Sequence, residues 1–416
     1  MTNAPNNDHR PHYLFMASDK FPPFRVDVAV LFGKEMSGRG HRIDWLLQSE
    51  QPQASRRRLP WANGTAVVGP SARGHGVFAK ALRHMQGGLL GLHAFRLARQ
   101  GAYQFIQVKD QFVGGVLGLM AARLHGKAFV YWLSYPFPES QIFRARTGAT
   151  RYPRWYLLRG TVFKWLLYRV LLPRADLVFV QSEQMRKDVA AEGIPAERIV
   201  AVPMGVAPEV LERAAALRPP QDLRPGPKLL YLGTMLRVRR IDFVIRVFAR
   251  VVQVVPDAVL YMVGGSDDAE DMAQLHREAE RLGVYDRVVF TGNLPQAEAF
   301  RYVCGADVCL SPFFPTPILN STSPTKLIEY LAHGKPVVAN DHPEQRQVIA
   351  ESGGGLCVPY DEEAFAQAAI TLLRDPQRSR VMGEQGRRYV MEHRSYPTIA
   401  ARVDEQYRRL LAGRPV

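Results

Sequence analysis

Cysteine is scarce: three in 416 residues, Cys304, Cys309 and Cys357, all in the second half and without metal-ligand spacing. No disulfide framework is expected from them, and a reducing, cytoplasmic setting fits better. Clusters of His, Asp and Glu are also missing, so neither a metal nor a cofactor is expected. The opening residues, 1–12, are polar and rich in Pro and Asn, which predicts no secretory signal. There is no repeat of solenoid length and no low-complexity tract. Acids are depleted over one span: residues 51–175 hold 19 Lys and Arg against only Asp110 and Glu139. That excess is larger than the net +15 of the whole chain, so the remainder is close to neutral. A basic face on one domain suits a polyanion, whether nucleic acid, an anionic membrane or a diphosphate-bearing lipid. With no nucleic-acid-binding module in the chain, nucleic acid is set aside.

The densest part of that span runs over 140–175. Eight basic residues and no acid alternate there with Trp155, Tyr156, Phe163, Trp165 and Tyr168. The mixture is that of a membrane-interface helix, and Arg151, Arg154, Trp155, Arg159, Lys164 and Trp165 are its candidate contacts. Arg159, Lys164, Arg169 and Arg174 recur every five residues, about 140° apart on a helix, so they form no single polar face. The interleaved charges exclude a membrane span, which needs ~20 mostly apolar residues. The loop around Arg56-Arg57-Arg58 is expected to be exposed and mobile.

Short apolar runs alternate with helical patterns through both halves. Runs at 12–17, 42–47, 105–108, 128–133 and 177–181 read as strands of a first parallel sheet. Those at 229–232, 259–263, 288–291, 308–310, 336–339 and 356–358 read as strands of a second. Pro219-Pro220 and Pro225-Gly226-Pro227 mark a stiff connector. The expected organisation is an N-terminal domain over 1–207, a linker over 208–228 and a C-terminal domain over 229–395. A last helix, within 396–416, is expected to cross back onto the first domain.

The most informative string is Ser323-Pro324-Thr325-Lys326-Leu327-Ile328-Glu329-Tyr330-Leu331-Ala332-His333-Gly334-Lys335-Pro336-Val337-Val338-Ala339. Ser323 is expected to cap a helix with Pro324 in its first position; Gly334 ends it and Pro336 opens a strand. A helix N-terminus offers unpaired N–H groups and partial positive charge to a phosphate, and Lys326 adds a full charge. Glu329 is placed to accept bonds from sugar hydroxyls. The string resembles the nucleotide-sugar segment of the family-4 retaining glycosyltransferases. Ala175-Asp176 followed by Ser182, and Pro203-Met204-Gly205-Val206, resemble two further landmarks of that family, with Met204 in place of the common Asn.

The resemblance implies an α/β protein of the GT-B type: two doubly wound, Rossmann-like domains facing a central cleft. It implies Arg239 and Lys326 as the catalytic groups that steady a departing diphosphate. Gly233, Thr234 and Arg240 would line the first strand end of the donor site, Gly264 and Gly265 the second, and Asn293 the third. Ser321, Thr322, Ser323, Thr325 and Glu329 would complete it. Two departures stand out. Thr234 occupies the place of a usual Arg, a charge that Arg237 or Arg240 would have to restore. Ser321 replaces the first of two glutamates eight residues apart, leaving Glu329 alone. Ser134-Tyr135-Pro136 likewise lacks a His that many relatives carry. The reaction implied is retaining, metal-independent sugar transfer from a nucleotide-diphosphate donor to a glycan or polyprenyl-diphosphate-linked acceptor, as in exopolysaccharide assembly, with peripheral contact to an anionic membrane. The alternatives are a catalytically lapsed nucleotide-sugar-binding protein and a sugar-nucleotide epimerase.

Overall fold

The computed structural model describes residues 10–74, 77–214 and 216–413. Most of the polar opening stretch, the residues closing the chain and one residue of the expected linker lie outside these. The chain forms two compact units: one holds the residues up to Pro203 together with those from Tyr396 onward, the other runs Met204–Ser395.

The first unit is built on an eight-stranded sheet. Its strands are β1 His12–Phe21, β2 Arg42–Ser49, β3 Arg57–Trp61, β4 Gly64–Gly69, β5 Phe105–Lys109, β6 Ala128–Leu133, β7 Leu177–Val180 and β8 Ile199–Ala201. The order is β3-β4-β2-β1-β5-β6-β7-β8, parallel except for the β3–β4 pair. Every residue of β5 and β7 is buried, as parallel strands covered on both faces require. One apolar cluster fills each face of the sheet. The last helix, Tyr396–Leu411, belongs to this unit: Tyr407 stacks among Tyr13, Phe105 and Phe179 and bonds Gln107 through its hydroxyl, while His41 Nε2 meets Asp404 at 2.9 Å.

Of residues 56–58, read as an exposed loop, all three are exposed but only Arg56 lies outside a strand. Arg57 and Arg58 open β3, the exposed edge of an antiparallel hairpin whose turn places Ala62 and Asn63 at positive φ ahead of Gly64. The Asn-Gly pair between alternating residues is a hairpin signal that the sequence reading passed over.

The second unit carries six parallel strands: β9 Lys228–Leu232, β10 Val259–Val263, β11 Val288–Gly292, β12 Val308–Ser311, β13 Val337–Asn340 and β14 Gly355–Val358. Their order, β11-β10-β9-β12-β13-β14, turns back between β9 and β12. At such a switch point the loops leaving the two strand ends diverge and open a ligand crevice. In the first sheet the same reversal falls between β1 and β5. Within the span read as a linker lies a short helix, Pro208–Ala214.

Candidate active site

The reversal in the second sheet gathers most of the expected donor residues. Strand β9 is followed by Gly233, whose N–H is bonded to Val263 O at 2.9 Å; Met235 N bonds Gly265 O at the same distance. Gly264 has φ +121, and a Cβ there would lie 2.3 Å from Gly233 O, so only glycine lets these two loops touch. A Cβ on Gly265 would stand a tight 3.1 Å from Asn293 Oδ1, and Gly264 N reaches Thr291 Oγ1 at 3.3 Å. The three strand ends thus form one continuous glycine-lined edge.

Helix Thr325–Ala332 starts beside this edge and stops where Gly334 turns left-handed at φ +67. Lys326, 7% exposed, reaches from its first turn to the end of β9. Its Nζ donates to Tyr231 Oη at 2.9 Å, lies 4.1 Å from the Tyr231 ring centroid and 5.2 Å from that of Phe313. A Cβ on Gly233 would sit 3.5 Å from the same nitrogen. Burial lowers the Lys326 amine well below its ordinary value, and the nearby Arg239 guanidinium adds to the fall against a smaller opposing pull from Glu329. Burial also pushes Glu329 up to about 7, with Lys326 resisting. The exposed Arg239 faces the Tyr231 hydroxyl, so both expected catalytic cations meet on one phenol.

Other expected residues are placed differently. Ser323 caps nothing: Pro324, with φ −70 and ψ 103, stays outside the helix, which begins at Thr325. The Ser323 hydroxyl instead accepts from Met204 N at 2.9 Å and donates to Glu344 Oε1 at 2.6 Å, and Glu344 also holds Arg394 at 3.0 Å. Ser323 therefore fastens the loop beneath the site. Ser321 Oγ bonds Pro317 O and Thr322 Oγ1 bonds Leu319 O, both closing the turn of helix Pro317–Asn320. Thr325 is half-buried at the first helical position. Arg240, at φ 54, points to Asp242 at 3.6 Å and over the Phe314 ring at 5.4 Å, not toward Thr234. The Lys326 nitrogen lies beside the adjacent Gly233, 3.5 Å from where a Cβ on that residue would stand.

Comparison with known proteins bears on family and fold. Residues 226–375 match the family described as glycosyl transferases group 1, and residues 27–210 match glycosyltransferase family 4. The chain thus carries a glycosyl transferases group 1 domain and a glycosyltransferase family 4 domain. It is 30% identical over 248 residues to the GDP-mannose-dependent alpha-(1-6)-phosphatidylinositol monomannoside mannosyltransferase of Mycolicibacterium smegmatis, an overlap of 58% of this chain and 63% of that protein. With the alpha-monoglucosyldiacylglycerol synthase of Streptococcus pneumoniae it shares 27% over 288 residues, 67% of this chain and 61% of the synthase. It thus spans about three fifths of the length of these relatives. Among solved structures, a sucrose-phosphate synthase from Thermosynechococcus elongatus aligns over 97% of this chain and 100% of its own with a TM-score of 0.72 at 19% identity. The shared fold is GT-B.

Two features of the first unit escaped the sequence reading. At the β1/β5 reversal, Lys109 is fully buried among Asp19 (3.0 Å), Asp110 (3.3 Å) and Asp27 (3.5 Å). Arg25 adds ion pairs to Asp27 and Asp19, and donates to Ser134 Oγ at 3.2 Å. Ser134 in turn binds both oxygens of Asp110, a residue held at φ 52. Burial alone would lower the Lys109 ammonium, but Asp110, Asp27 and Asp19 outweigh it and hold it above its ordinary value.

The second feature is the exposed side of helix Pro153–Trp165. Trp155, Leu158, Val162 and Trp165 are 45–59% exposed and recur at three, four and three residues, which is one helix face. Arg151 and Arg154 are exposed beside it. Arg159 and Lys164, expected there, turn away: Arg159 Nε bonds Gln141 at 2.9 Å and Lys164 pairs with Glu192 at 2.6 Å. The surface face is therefore apolar and aromatic with arginines at its edge. Among the described residues no helix is long and apolar enough to cross a membrane.

Proposed function

We propose that this chain is a retaining, metal-independent glycosyltransferase that moves a sugar from a nucleoside-diphosphate donor to a glycan or polyprenyl-diphosphate-linked acceptor at the cytoplasmic face of a membrane, in exopolysaccharide or other cell-surface glycan assembly. The observation that carries the reading is the convergence of Lys326, Arg239 and the first turn of helix Thr325–Ala332 at the β9/β12 reversal, beside the glycine-lined edge. Two cations and a ring of N–H groups stabilise the charge that grows on the diphosphate as the sugar leaves. Glu329 holds the nucleoside, and Ser321 and Thr322 stand by the sugar as neutral polar groups. Attack on the face that the diphosphate vacates retains the anomeric configuration. The acceptor proton passes to the departing phosphate oxygen, so no protein base is required and the protein contributes position and charge.

The acceptor is lipid-linked because Trp155, Leu158, Val162 and Trp165, edged by Arg151 and Arg154, suit a peripheral seat in an anionic interface. The named activities of the mannosyltransferase and the diacylglycerol synthase, both acting on lipids, support the same choice. Calorimetry of the purified chain against a panel of nucleotide sugars, with nucleotide release scored with and without lipid acceptor, tests the reading; absence of binding at millimolar donor refutes it. Sedimentation with anionic vesicles tests the membrane seat: salt-sensitive binding lost in Trp155→Glu with Trp165→Glu is expected, and no binding at low salt refutes it.

A further inference from the structure

We propose that Tyr231 and Phe313 form an aromatic seat that holds the Lys326 amine in readiness, and that arrival of the donor's diphosphate draws a proton from solvent onto it. The inference rests on the donor-site reading above and goes beyond it by assigning a positioning role to Tyr231 and a proton to the binding step.

The seat is built from three elements that meet at the β9/β12 reversal. Tyr231 is the fourth residue of β9, Phe313 follows the end of β12, and Lys326 comes from the helix between β12 and β13. Both Tyr231 and Lys326 are buried. The Tyr231 hydroxyl donates to Thr234 O at 3.4 Å, which leaves its lone pairs to the Lys326 nitrogen 2.9 Å away. Ring faces attract an ammonium through their quadrupoles, and Tyr231 and Phe313 both present rings within the distance at which that attraction operates. What the site withholds is a counter-charge. Among the described residues no carboxylate lies within ion-pair distance of Lys326; Glu329, on its own helix, is the nearest acid acting on it, and Arg239, on the turn after β9, repels it.

Lys109 shows what the same chain does with a buried lysine that stays charged: three aspartates surround it within 3.5 Å. Lys326 has the rings of Tyr231 and Phe313 and the Tyr231 hydroxyl instead. A diphosphate placed at the glycine-lined edge supplies the missing negative charge, and the amine then takes up a proton to become the ammonium that the transfer needs. Tyr231 fixes where that ammonium points, between Gly233 and the helix N-terminus.

Calorimetry of the full chain at pH 8 with UDP and with GDP, in two non-phosphate buffers of widely different ionisation enthalpy, tests this directly. Heats that differ between the buffers by the amount for about one proton taken up are expected at the site. Lys326→Met, which fills the same volume, should abolish the difference. Tyr231→Phe keeps the ring and removes the acceptor oxygen. It should weaken nucleotide binding about tenfold and move the pH at which affinity falls to a lower value. If neither nucleotide binds, the donor-site reading fails and this inference with it. If nucleotide binds with equal heats in both buffers, or Lys326→Met keeps the difference, the proton is not on Lys326 and the inference fails while the donor site stands. Tyr231→Phe that binds and titrates like the parent removes Tyr231 from the role; Phe313→Leu then reports whether the second ring carries it, and parental behaviour in both variants overturns the seat.

Discussion

Glu329→Gln is the perturbation whose consequence can be worked furthest. The carboxyl is pushed from an ordinary 4.5 up to about 7 by burial, so folding stabilises its protonated form. That stabilisation is complete below pH 4.5 and is lost as pH rises through about 7, because above that pH the folded protein must hold the carboxylate charged in a poorly hydrated place. A shift of this size corresponds to roughly 3 kcal/mol at ~1.4 kcal/mol per unit, an upper figure because the residue is partly exposed. Glutamine keeps the shape and never ionises. Its stability relative to the parent should therefore rise from near zero at pH 4.5 toward about 3 kcal/mol at pH 8. With a urea slope of about 2 kcal/mol per molar for a unit of this size, the unfolding midpoints should separate by up to about 1.5 M. Urea titrations of both proteins at half-unit steps from pH 4.5 to 8 measure this. Parallel curves, with a constant gap across that range, would refute the reasoning. The nucleotide readout runs the other way: the variant should bind donor more weakly at pH 8 and approach the parent near pH 6, where the parent's own carboxyl carries a proton.

Three further outcomes are expected. Lys109→Met leaves Asp19, Asp27 and Asp110 with Arg25 alone for a counter-charge and should cost about 3–5 kcal/mol in urea unfolding; an unmoved midpoint would show that the cluster is not held by that ammonium. Gly264→Ala forces a Cβ to 2.3 Å from Gly233 O at φ +121, so stability should fall by about 1–3 kcal/mol and nucleotide affinity with it; parental affinity would mean that the glycine edge does not shape the site. Ser323→Ala removes two buried hydrogen bonds and should cost about 1–3 kcal/mol with donor affinity retained. Loss of affinity at parental stability would instead put this hydroxyl on the ligand.

What the sequence made legible follows from how each element is stabilised. Buried parallel strands such as β6 and β10 are continuous apolar runs, readable without any partner. The β3–β4 hairpin depends on turn chemistry at Ala62-Asn63-Gly64, which no apolar run announces. Ser323 was misread because a Ser-Pro pair before a helix satisfies the local capping rule; its actual partners, Met204 and Glu344, are 119 and 21 residues away, and no local rule contains them. The charge of Lys326 was legible, its seat was not, since Tyr231 lies 95 residues earlier on another strand. On helix Pro153–Trp165 the basic residues formed no face. The stripe that does exist is apolar, and Arg159 and Lys164 left it for Gln141 and Glu192.

The buried Lys109 and Lys326 bring these points together. Each stands where the strand order of its sheet reverses, the place where an open α/β unit receives ligands. Lys109 arrives with its counter-charges already in the protein, so its ammonium is permanent and its removal is a matter of stability. Lys326 arrives without them, so its site is electrostatically incomplete until an anion enters. A buried cation that the fold fully compensates has little left to offer a ligand, whereas one that the fold leaves wanting gains most when a diphosphate binds. On our reading of the donor site, that difference favours Lys326 over Lys109 as the partner of a diphosphate, and the charge proposed beside the neutral Thr234 would come from the helix, not from the strand end.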